Sequence, residues 1–535
     1  MEAGYPVWQR AFYTLGGSTS RARVPTIAAV GGENLDLEGL SGVAAVVGRA
    51  VARCVRFREW VAMPEQYRQE QEGREAGRAG VLFISSNGAS YGGGEAYLLH
   101  VMRGLDRGRF RPVVVLPEEG DLEPRLRELD VGTYVIPMRK GGVRQDRGWY
   151  SYLSRLPVHV EQVAAIIRAE AISLVHTNSN TRLEGALAAR VTGTGHVYLA
   201  HIARQTDGLY QRLALDQGAF AEVASGLSSR IIAVSGAVAG TLSPPLPRSA
   251  VQVIHNGIDF ADFDARAVRP GDVRAELGLG PEVSLVAAVG RLCHDKGFDV
   301  LVEAAAVVCR EHQDAHFLLI GGASEAEYAA RLEERVEALR IGDRIHFLGR
   351  REDVPGLLRE SDLFVLSSRI EGHPYVLLEA MASNCGIVAT RCAGVEETVA
   401  HEQTALLVPV DDAGAMAAAI ARLLRDQALR KELARAADGH ARERFSAQRS
   451  VEELMRAYEE ILLEPAPTAG RAAVDLFLLA AREAGEQGLG LLDLKKRVAD
   501  IEGTLDVVRK NRLVRRGAGV IRRVTGTQAR SDPGR

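Results

Sequence analysis

The feature that most constrains the fold of this chain is an alternation of short apolar runs and amphipathic stretches between residues 81 and 463. The runs are nearly continuous in apolar residues, as in strands of a parallel sheet that is covered on both faces. Parallel strands need a crossover connection, usually a helix, and the intervening stretches have helical spacing. The pattern predicts an α/β fold built on doubly wound parallel sheets.

The apolar runs fall into two series, and 535 residues are too many for one ordinary core, so we expect two Rossmann-like domains. The first series predicts strands at residues 81–84, 112–116, 131–136, 174–176, 197–200 and 231–234. The second predicts strands at residues 284–289, 316–320, 344–347, 363–365, 386–389 and 405–408. The corresponding domains are residues 81–262 and 280–445, joined by a polar link over 260–279, and a helix at 446–463 is expected to pack back toward the first domain.

The two ends of the chain differ from this pattern. Residues 1–80 are expected to form an N-terminal extension of unknown role, partly helical and partly disordered. Residues 464–535 are expected to form a linker, a heptad-like helix and a basic tail. The heptad seam at 491–508 either packs on the chain's own surface or forms a dimer. The tail at 509–530 has eight Arg and Lys and no acid, so it either rests on an anionic membrane surface or remains solvated.

Composition excludes several classes of protein. Sixty-six basic against 69 acidic residues give a net charge of −3, which argues against nucleic-acid binding by the protein as a whole. Five scattered cysteines without a CxxC pair indicate reduced thiols, with neither a disulfide framework nor a zinc site. No membrane span, signal peptide or metal-ligand cluster is apparent. We therefore expect a cytoplasmic protein without a metal or other cofactor, peripheral on the inner face of the membrane if the tail binds there.

Common catalytic signatures are absent or fit poorly. The chain contains no GxGxxG, no P-loop and no HExxH. Residues 88–92 match GxSxG, which leaves a serine hydrolase acting through Ser90 as an alternative function. A nucleophile elbow places its serine in a sharp turn directly after the strand, whereas here five residues separate Ile84 from Ser90.

The same loop contains Gly92, Gly93 and Gly94 in front of a predicted helix. Glycines allow the backbone to approach a ligand closely, and a helix N-terminus favours negative charge. The segment therefore predicts a loop that binds a negatively charged ligand such as a phosphate, although a merely flexible turn has the same sequence.

The second predicted domain contains a loop with two cations, Arg291 and Lys296, between Gly290 and Gly297. It follows a strand and precedes a helix, at the edge where open parallel sheets bind ligands. Arg offers a bidentate fork and Lys a point charge, so the pair can converge on a diphosphate. Solvated surface charges are the alternative.

A second loop in this domain contains paired acids, Glu371 and Glu379. Pro374 suits the first turn of a helix, so Glu371 should precede the helix and Glu379 should lie about a turn and a half inside it. At ~1.5 Å rise per residue the carboxylates would be roughly 8–10 Å apart, near the span of a nucleoside diphosphate sugar from glycosyl ring to ribose. The free N–H groups of Gly372 and His373 would face the anion between them.

These segments resemble glycosyltransferase family 4, the retaining nucleotide-sugar transferases with the two-domain GT-B fold. The resemblance covers residues 81–463 and includes the E-x7-E pair Glu371 and Glu379, which is the family's signature. It extends to the glycine-rich first loop, the loop with Arg291 and Lys296, and the segments 253–259 and 346–349. The chain departs from the usual pattern at Asn178, Asn384, Gly386 and Ala393.

The resemblance implies a role for each matching residue. Arg291 and Lys296 would hold the donor diphosphate and stabilise the leaving group, next to Gly290. Glu379 would bind the ribose, and backbone atoms near Arg350 would contact the base. Glu371 would contact the transferred sugar, together with Gly372, His373 and Pro374. His201 would lie near the acceptor and the reacting sugar, unless it is a structural histidine that caps its strand.

The expected reaction is transfer of a hexosyl group from a UDP- or GDP-sugar to a hydroxyl acceptor with retention of configuration. The resemblance favours front-side attack assisted by the leaving phosphate over a covalent intermediate on Glu371. The acceptor is expected to be a glycan or lipid-linked, in cell-surface polysaccharide or glycolipid synthesis. A protein that binds a nucleotide sugar without catalysis is the further alternative.

Overall fold

The structure is a computed structural model that describes residues 77–89, 92–138, 147–179, 182–202, 223–242, 251–267 and 273–464, with short pieces between 474 and 487. The expectations for residues 1–76, for Ser90, for the seam at 491–508 and for the tail at 509–530 lie outside the described residues. Among the described helices, none combines the length and the apolar character that crossing a membrane requires.

The first sheet has seven parallel strands, in the order β3-β2-β1-β4-β5-β6-β7. They are β1 (Ala79–Ser85), β2 (Phe110–Leu116), β3 (Gly132–Val135), β4 (Ile172–Asn178), β5 (Gly195–Ala200), β6 (Arg230–Ala233) and β7 (Val251–Val253). The four central residues of β1, from Val81 to Ile84, are fully buried, which explains their unbroken apolar run. The six strands predicted for this domain are present, and β7 was not among them because it has only three residues, one of them Gln252.

Helices cover this sheet. They are α1 (Gly93–Gly104), α2 (Leu122–Glu128), α3 (Arg147–Ala169), α4 (Glu184–Thr192) and α5 (Gly236–Thr241). Apolar residues of α1 pack on one face of the sheet, and those of α3 and α4 pack on the other. The predicted doubly wound arrangement is therefore confirmed for the first sheet.

The second sheet has six parallel strands, in the order β10-β9-β8-β11-β12-β13. They are β8 (Ser284–Val289), β9 (Ala315–Ile320), β10 (Ile345–Gly349), β11 (Leu363–Leu366), β12 (Gly386–Thr390) and β13 (Leu406–Val408). The helices of this half are α6 (Phe260–Ala267), α7 (Val273–Glu276), α8 (Phe298–Glu311), α9 (Ala326–Leu339), α10 (Val354–Glu360), α11 (Tyr375–Ala382), α12 (Ala413–Arg425) and α13 (Gln427–Arg444). All six predicted strands are present, and the link expected over 260–279 contains the two short helices α6 and α7.

The last long helix, α14 (Ala447–Leu463), packs against the first sheet. Its buried side chains lie at positions 451, 454, 455, 457, 458 and 461, which is the spacing of one helical face. Tyr458 donates or accepts a 2.6 Å hydrogen bond with His176 of β4, so a polar pair fixes the helix within an apolar core. Farther along, Val474, Leu478 and Ala481 are buried against the opposite face of the same domain.

The order of the strands shows where each sheet can bind a ligand. In the first sheet the strand order reverses between β1 and β4, and in the second between β8 and β11. Open parallel sheets bind ligands at such a switch point, outside the carboxyl ends of the strands. The predicted glycine-rich loop follows β1. The loop with Arg291 and Lys296 follows β8, and the loop with Glu371 follows β11; we call these two the donor loops. All three loops therefore lie at switch points.

Candidate active site

An ion pair lies where the two donor loops meet. The Nζ atom of Lys296 donates to Oε1 of Glu371 at 2.6 Å, and the hydroxyl of Ser368 donates to the same oxygen at 2.7 Å. The side chain of Glu371 is 8% exposed and that of Lys296 21%. Two of the predicted site residues, 75 positions apart in sequence, are thus in direct contact at the switch point of the second sheet.

A tight turn holds Lys296 at this position. Residues His294–Lys296 form a single 3₁₀ turn, which Gly297 ends with φ +62° before α8 begins. A Cβ on Gly297 would lie 2.1 Å from the carbonyl oxygen of Ser367, so only glycine fits against the neighbouring loop. The hydroxyl of Ser367 donates to the carbonyl of Lys296 at 2.8 Å, which joins the two loops a second time.

Arg369, which sequence reasoning missed, ties the same loops together. Its guanidinium donates to both carboxylate oxygens of Asp299 at 3.0 and 2.7 Å, and to the carbonyl of His294 at 2.6 Å. Its backbone N–H donates to the carbonyl of Asp295 at 2.8 Å. Burial opposes the charge of Asp299, but the hydrogen bonds from Arg369 and Tyr328 lower the pKa of this carboxyl overall. The segment between Ser368 and Glu371 is therefore fastened to the turn that carries Lys296.

Gly372 brings the second sheet against the first. A Cβ on Gly372 would lie 1.9 Å from the carbonyl oxygen of His201, the residue that follows β5. On its other side, a Cβ on Gly394 would lie 1.7 Å from the carbonyl oxygen of Gly372. Three stretches of backbone thus stack without side chains between them. This places the predicted acceptor residue His201 next to the predicted donor loop.

His201 belongs to a chain of hydrogen bonds that reaches the glycine-rich loop. Its Nε2 donates to Oδ1 of Asn178 at 2.5 Å, and Nδ2 of Asn178 donates to the carbonyl of Gly94 at 2.8 Å. Burial lowers the pKa of His201 to about 4, so the imidazole is neutral at pH 7. Asn178, where the chain departs from the family pattern, therefore positions both His201 and the start of α1.

The glycine-rich loop forms the start of α1. Gly92 is the N-cap residue with extended backbone and no side-chain cap, and the helix begins at Gly93. A Cβ on Gly93 would lie 4.0 Å from the ring of Tyr375 at the start of α11, so the first turn of α1 faces the second domain. The buried carboxylate of Glu95, in the same first turn, lies against Gly92, because an added Cβ on Gly92 would lie 2.1 Å from its Oε2. A negative charge therefore already occupies the N-terminus of α1.

Glu379 lies in the second turn of α11, as predicted. Burial raises the pKa of its carboxyl to about 7, and the charge of Arg266 opposes this only partly. In the described part of the chain its carboxylate accepts no hydrogen bond. A hydroxyl group of a ligand would supply the hydrogen-bonding partner that this buried carboxyl group lacks.

His373 and Pro374 complete the loop. Pro374 is the N-cap of α11, and the carbonyl of His373 accepts a 2.7 Å hydrogen bond from Asn256 of the segment that follows β7. The His373 ring lies 5.0 Å from the rings of His255 and Phe445. Neither of its ring nitrogens has a hydrogen-bonding partner among the residues described. His373 therefore shapes the loop through packing and its backbone.

The remaining predicted residues lie around this centre. A Cβ on Gly290 would lie 3.6 Å from the Lys296 side chain, so these two residues are neighbours. Arg291 is exposed at the end of β8, and no contact joins its side chain to Glu371 among the described residues. The guanidinium of Arg350 pairs with Asp121 of the first domain at 2.9 Å. Arg350 thus joins the domains through its side chain, which its predicted backbone contact with the base did not anticipate.

Buried histidines predict acid sensitivity. His196 and His373 are 1% and 3% exposed, and burial lowers the pKa of each to about 3. Unfolded histidine takes up its proton near pH 6.5, so the unfolded state binds more protons below that pH and stability is lost as pH falls. Each group can remove up to about 4–5 kcal/mol, against a typical stability of about 5–15 kcal/mol.

We expect the melting temperature to fall steeply between pH 6 and pH 4 in thermal denaturation followed by circular dichroism. Glu379, whose pKa is raised to about 7, and buried Glu184, whose pKa burial also raises, act in the opposite sense. Buried histidines outnumber them, because burial also lowers the pKa of His176 and of His201. A melting temperature that stays constant from pH 7 to pH 4 would show that the buried histidines are not neutral in the folded state.

Sequence models of two families match the chain. The one described as "Glycosyltransferase Family 4" matches residues 91–262, and the one described as "Glycosyl transferases group 1" matches residues 272–440. Together they match more than half of the chain, one on each sheet. The chain belongs to the family 4 type of glycosyltransferase. The resemblance that the motifs indicated is confirmed.

Two curated relatives of this glycosyltransferase illustrate the match. A lipopolysaccharide core biosynthesis mannosyltransferase, LpsB, of Rhizobium meliloti is 33% identical over 239 residues, 43% of this chain and 66% of the relative. A D-inositol 3-phosphate glycosyltransferase of Salinispora tropica is 35% identical over 226 residues, 40% of this chain and 47% of the relative. The match thus spans about half to two thirds of the length of these relatives.

Solved structures share the fold of this glycosyltransferase. The structure of Anabaena Alr3699/HepE in complex with UDP-glucose superposes with a TM-score of 0.60 at 23% identity, over 71% of this chain and 99% of that one. At this identity the likeness concerns the fold. Together with the two sheets it confirms the predicted GT-B architecture, two Rossmann-like domains that face each other across a cleft.

Proposed function

We propose that this chain transfers a hexosyl group from a UDP- or GDP-sugar to a hydroxyl acceptor, with retention of configuration. The observation that carries the proposal is the pair of Lys296 and Glu371 at 2.6 Å, at a sheet switch point beside the Gly372–His201 contact. At this point a cation that can bind a phosphate lies beside a carboxylate that can bind a sugar hydroxyl, and both face the other domain. Family membership and the UDP-glucose bound to the Anabaena neighbour support the same reading.

The cations act on the leaving group. An ammonium group has three N–H donors, and one of them donates to Glu371. The other two remain for phosphate oxygens, so Lys296 can bind Glu371 and the diphosphate at the same time. Arg291, at the end of the neighbouring strand β8, supplies a second positive charge to the diphosphate. Charge that develops on the departing diphosphate is then stabilised by Lys296, whose ammonium group is already oriented by Glu371, and by the added charge of Arg291.

The carboxyl groups hold the sugar and the ribose. Oε1 of Glu371 accepts from Lys296 and Ser368, so Oε2 is left to accept from a hydroxyl of the transferred sugar. Glu379, with its raised pKa, gains a hydroxyl partner from the ribose. In the transfer, the bond from the anomeric carbon to the β-phosphate oxygen breaks, the acceptor oxygen bonds to that carbon on the same face, and the acceptor's proton passes to the departing phosphate.

The acceptor belongs to the first domain in this proposal. His201 contacts Gly372 through its backbone, and its neutral imidazole lies beside the first turn of α1, where an added Cβ on Gly94 would lie 3.8 Å from Nε2. The imidazole and this turn would line the side of the contact on which a glycan binds. The Rhizobium relative is named for lipopolysaccharide core synthesis, which supports a cell-surface glycan or a lipid-linked acceptor. The basic tail at 509–530 would bring the enzyme to the inner face of a membrane, where lipid-linked acceptors lie.

The proposal is tested with a panel of UDP- and GDP-sugars. Ligands that bind the native state raise its melting temperature, so a thermal-shift screen selects the donor, and release of UDP or GDP with lipid-linked and soluble glycans then measures transfer. Donor binding without release of nucleoside diphosphate for any acceptor would indicate a non-catalytic binding protein. Ester hydrolysis that is lost in Ser90→Ala would indicate the serine hydrolase.

We also propose that transfer requires no bound metal ion, because Lys296 and Arg291 supply the positive charge that the diphosphate needs. The expected result is that the rate stays within about twofold of its starting value after addition of EDTA, since protein cations perform the electrostatic task. The rate of nucleoside diphosphate release with and without EDTA measures this. Loss of activity with EDTA and recovery with Mg²⁺ or Mn²⁺ would contradict the proposal.

A further inference from the structure

A carboxylate outside the predicted site joins the two domains. Glu397, in the loop between β12 and β13, accepts hydrogen bonds from the backbone N–H groups of Gly236, at 2.7 Å, and Ala237 of the first domain. Nε2 of His255 lies 3.3 Å from the same carboxylate. Burial opposes the charge of Glu397, but His255 and the two N–H groups outweigh it and hold the pKa of this carboxyl below its usual value. The contact is therefore an ionised, multiply bonded clasp.

The loop that carries Glu397 is stiff. The N–H of Val395 donates to the carbonyl of Cys392 at 2.9 Å, and the N–H of Thr398 donates to the carbonyl of Val395 at 2.9 Å. The hydroxyl of Thr398 donates to the carbonyl of Gly394 at 2.9 Å, and Val395 and Thr398 are fully buried. A displacement of Glu397 must therefore move Gly394 with it.

Gly394 in turn supports the backbone of Glu371 and Gly372. The Cα of Gly394 lies so close to this backbone that an added Cβ would be 1.7 Å from the carbonyl oxygen of Gly372 and 3.1 Å from that of Glu371. Gly372 lies against His201 on its far side. The first domain thus holds the loop from two sides, once through Glu397 and once through His201.

We infer that Glu397 is a positioning residue, which fixes the Glu371–Gly372 backbone relative to the first domain through the loop that carries Gly394. The inference rests on the proposed function, because it assigns Glu397 a part in the same transfer. Glu397 contacts none of the groups proposed to bind the sugar or the diphosphate among the residues described. Its effect is transmitted by backbone packing. A 1 Å misplacement of the reacting groups, even by a mutation far from the reaction centre, can cost about 10²-fold in rate.

Glu397→Gln tests the inference and Glu396→Gln is its matched control. Gln keeps the size of Glu397 but turns an amide N–H₂ toward one of the two N–H groups, which breaks the clasp. Glu396 is the preceding residue, and its carboxylate lies on the surface, where it pairs with Arg391 at 3.0 Å. We expect kcat for transfer to fall about 10- to 100-fold in Glu397→Gln, with the donor KM changed by less than about threefold, and no change in Glu396→Gln. Glu397→Asp, which keeps the charge, should recover part of kcat.

Hydrogen exchange supplies a readout that needs no activity. In the protein without substrate, Glu397→Gln should speed exchange of the N–H groups in segment 235–241 and also in the peptide that contains residues 371–373. Faster exchange in segment 235–241 alone, with kcat unchanged, would overturn the positioning role while leaving the proposed function intact. If the unsubstituted protein transfers no sugar but both segments respond, the clasp stands and the proposed function fails. A lower melting temperature with unchanged kcat would mark Glu397 as merely structural.

Discussion

Replacing Lys296 by Ala is expected to lower kcat for sugar transfer by about 10²- to 10³-fold, the usual cost of removing one preoriented charged or hydrogen-bonding group from a reaction centre. Lys296 is proposed to neutralise the departing diphosphate, and its orientation is fixed by Glu371, Ser367 and the 3₁₀ turn. The donor KM should rise less than kcat falls, because charge on the diphosphate grows in the transition state. Release of nucleoside diphosphate at saturating donor measures the effect.

The removal of Lys296 has a second consequence, since it leaves Glu371 as an unpaired carboxylate that is 8% exposed. Breaking a buried pair from one side costs about 3–5 kcal/mol, and the 21% exposure of Lys296 reduces that figure. The double variant Lys296→Ala with Glu371→Gln removes both charges. It should therefore regain much of the stability that Lys296→Ala loses, but none of the lost transfer activity. Lys431→Ala, at an exposed lysine on α13, is the matched control.

Recovery of transfer in the double variant would contradict the assignment, because it would mean that Lys296 serves only to neutralise Glu371. Equal kcat in Lys296→Ala and Lys431→Ala would also contradict it. Glu371→Gln alone should keep the fold, since Gln can still accept from Ser368, and it should lose transfer to a similar extent.

The sheets could be predicted because buried parallel strands have a local signal. The run from Val81 to Ile84 is apolar throughout since both faces of β1 are covered, and no contact distant in sequence is needed to recognise it. The three loops could be predicted for a related reason: each follows a recognisable strand and contains glycine or paired charges. The E-x7-E spacing correctly gave the position of Glu379 within its helix, because helix rise is a local property.

The residues that hold the site in place could not be predicted, because their partners are distant in sequence. Arg369 contacts Asp299, 70 positions away, and Glu397 contacts Gly236, 161 positions away. Nothing in the local sequence distinguishes Glu397 from Glu396 beside it, although one joins the domains and the other lies on the surface. Arg350 was predicted for its backbone, and its pairing with Asp121 depends on how the two domains meet.

Gly372 shows how strongly the packing of the two domains depends on a residue that has no side chain. Its Cα packs so closely on the carbonyl oxygen of His201 that an added Cβ would lie 1.9 Å from that oxygen, and 2.9 Å from the carbonyl carbon. Real Cβ atoms do not approach within 3.0 Å of backbone, and neither side of this contact is a flexible side chain. The two domains must separate by about 1 Å or more to admit a methyl group there.

Gly372→Ala is therefore expected to lower kcat for transfer by about 10²-fold or more, because the donor loop and the acceptor side would be held apart by about 1 Å. The fold of each domain should persist, since the clash lies between them. The matched control is Gly322→Ala, a glycine of the same domain whose added Cβ would meet nothing within 4 Å. Steady-state kinetics of both variants, with melting temperatures to confirm folding, make the comparison. If Gly372→Ala transfers sugar at the rate of Gly322→Ala, the contact between Gly372 and His201 is not part of the form in which the sugar is transferred.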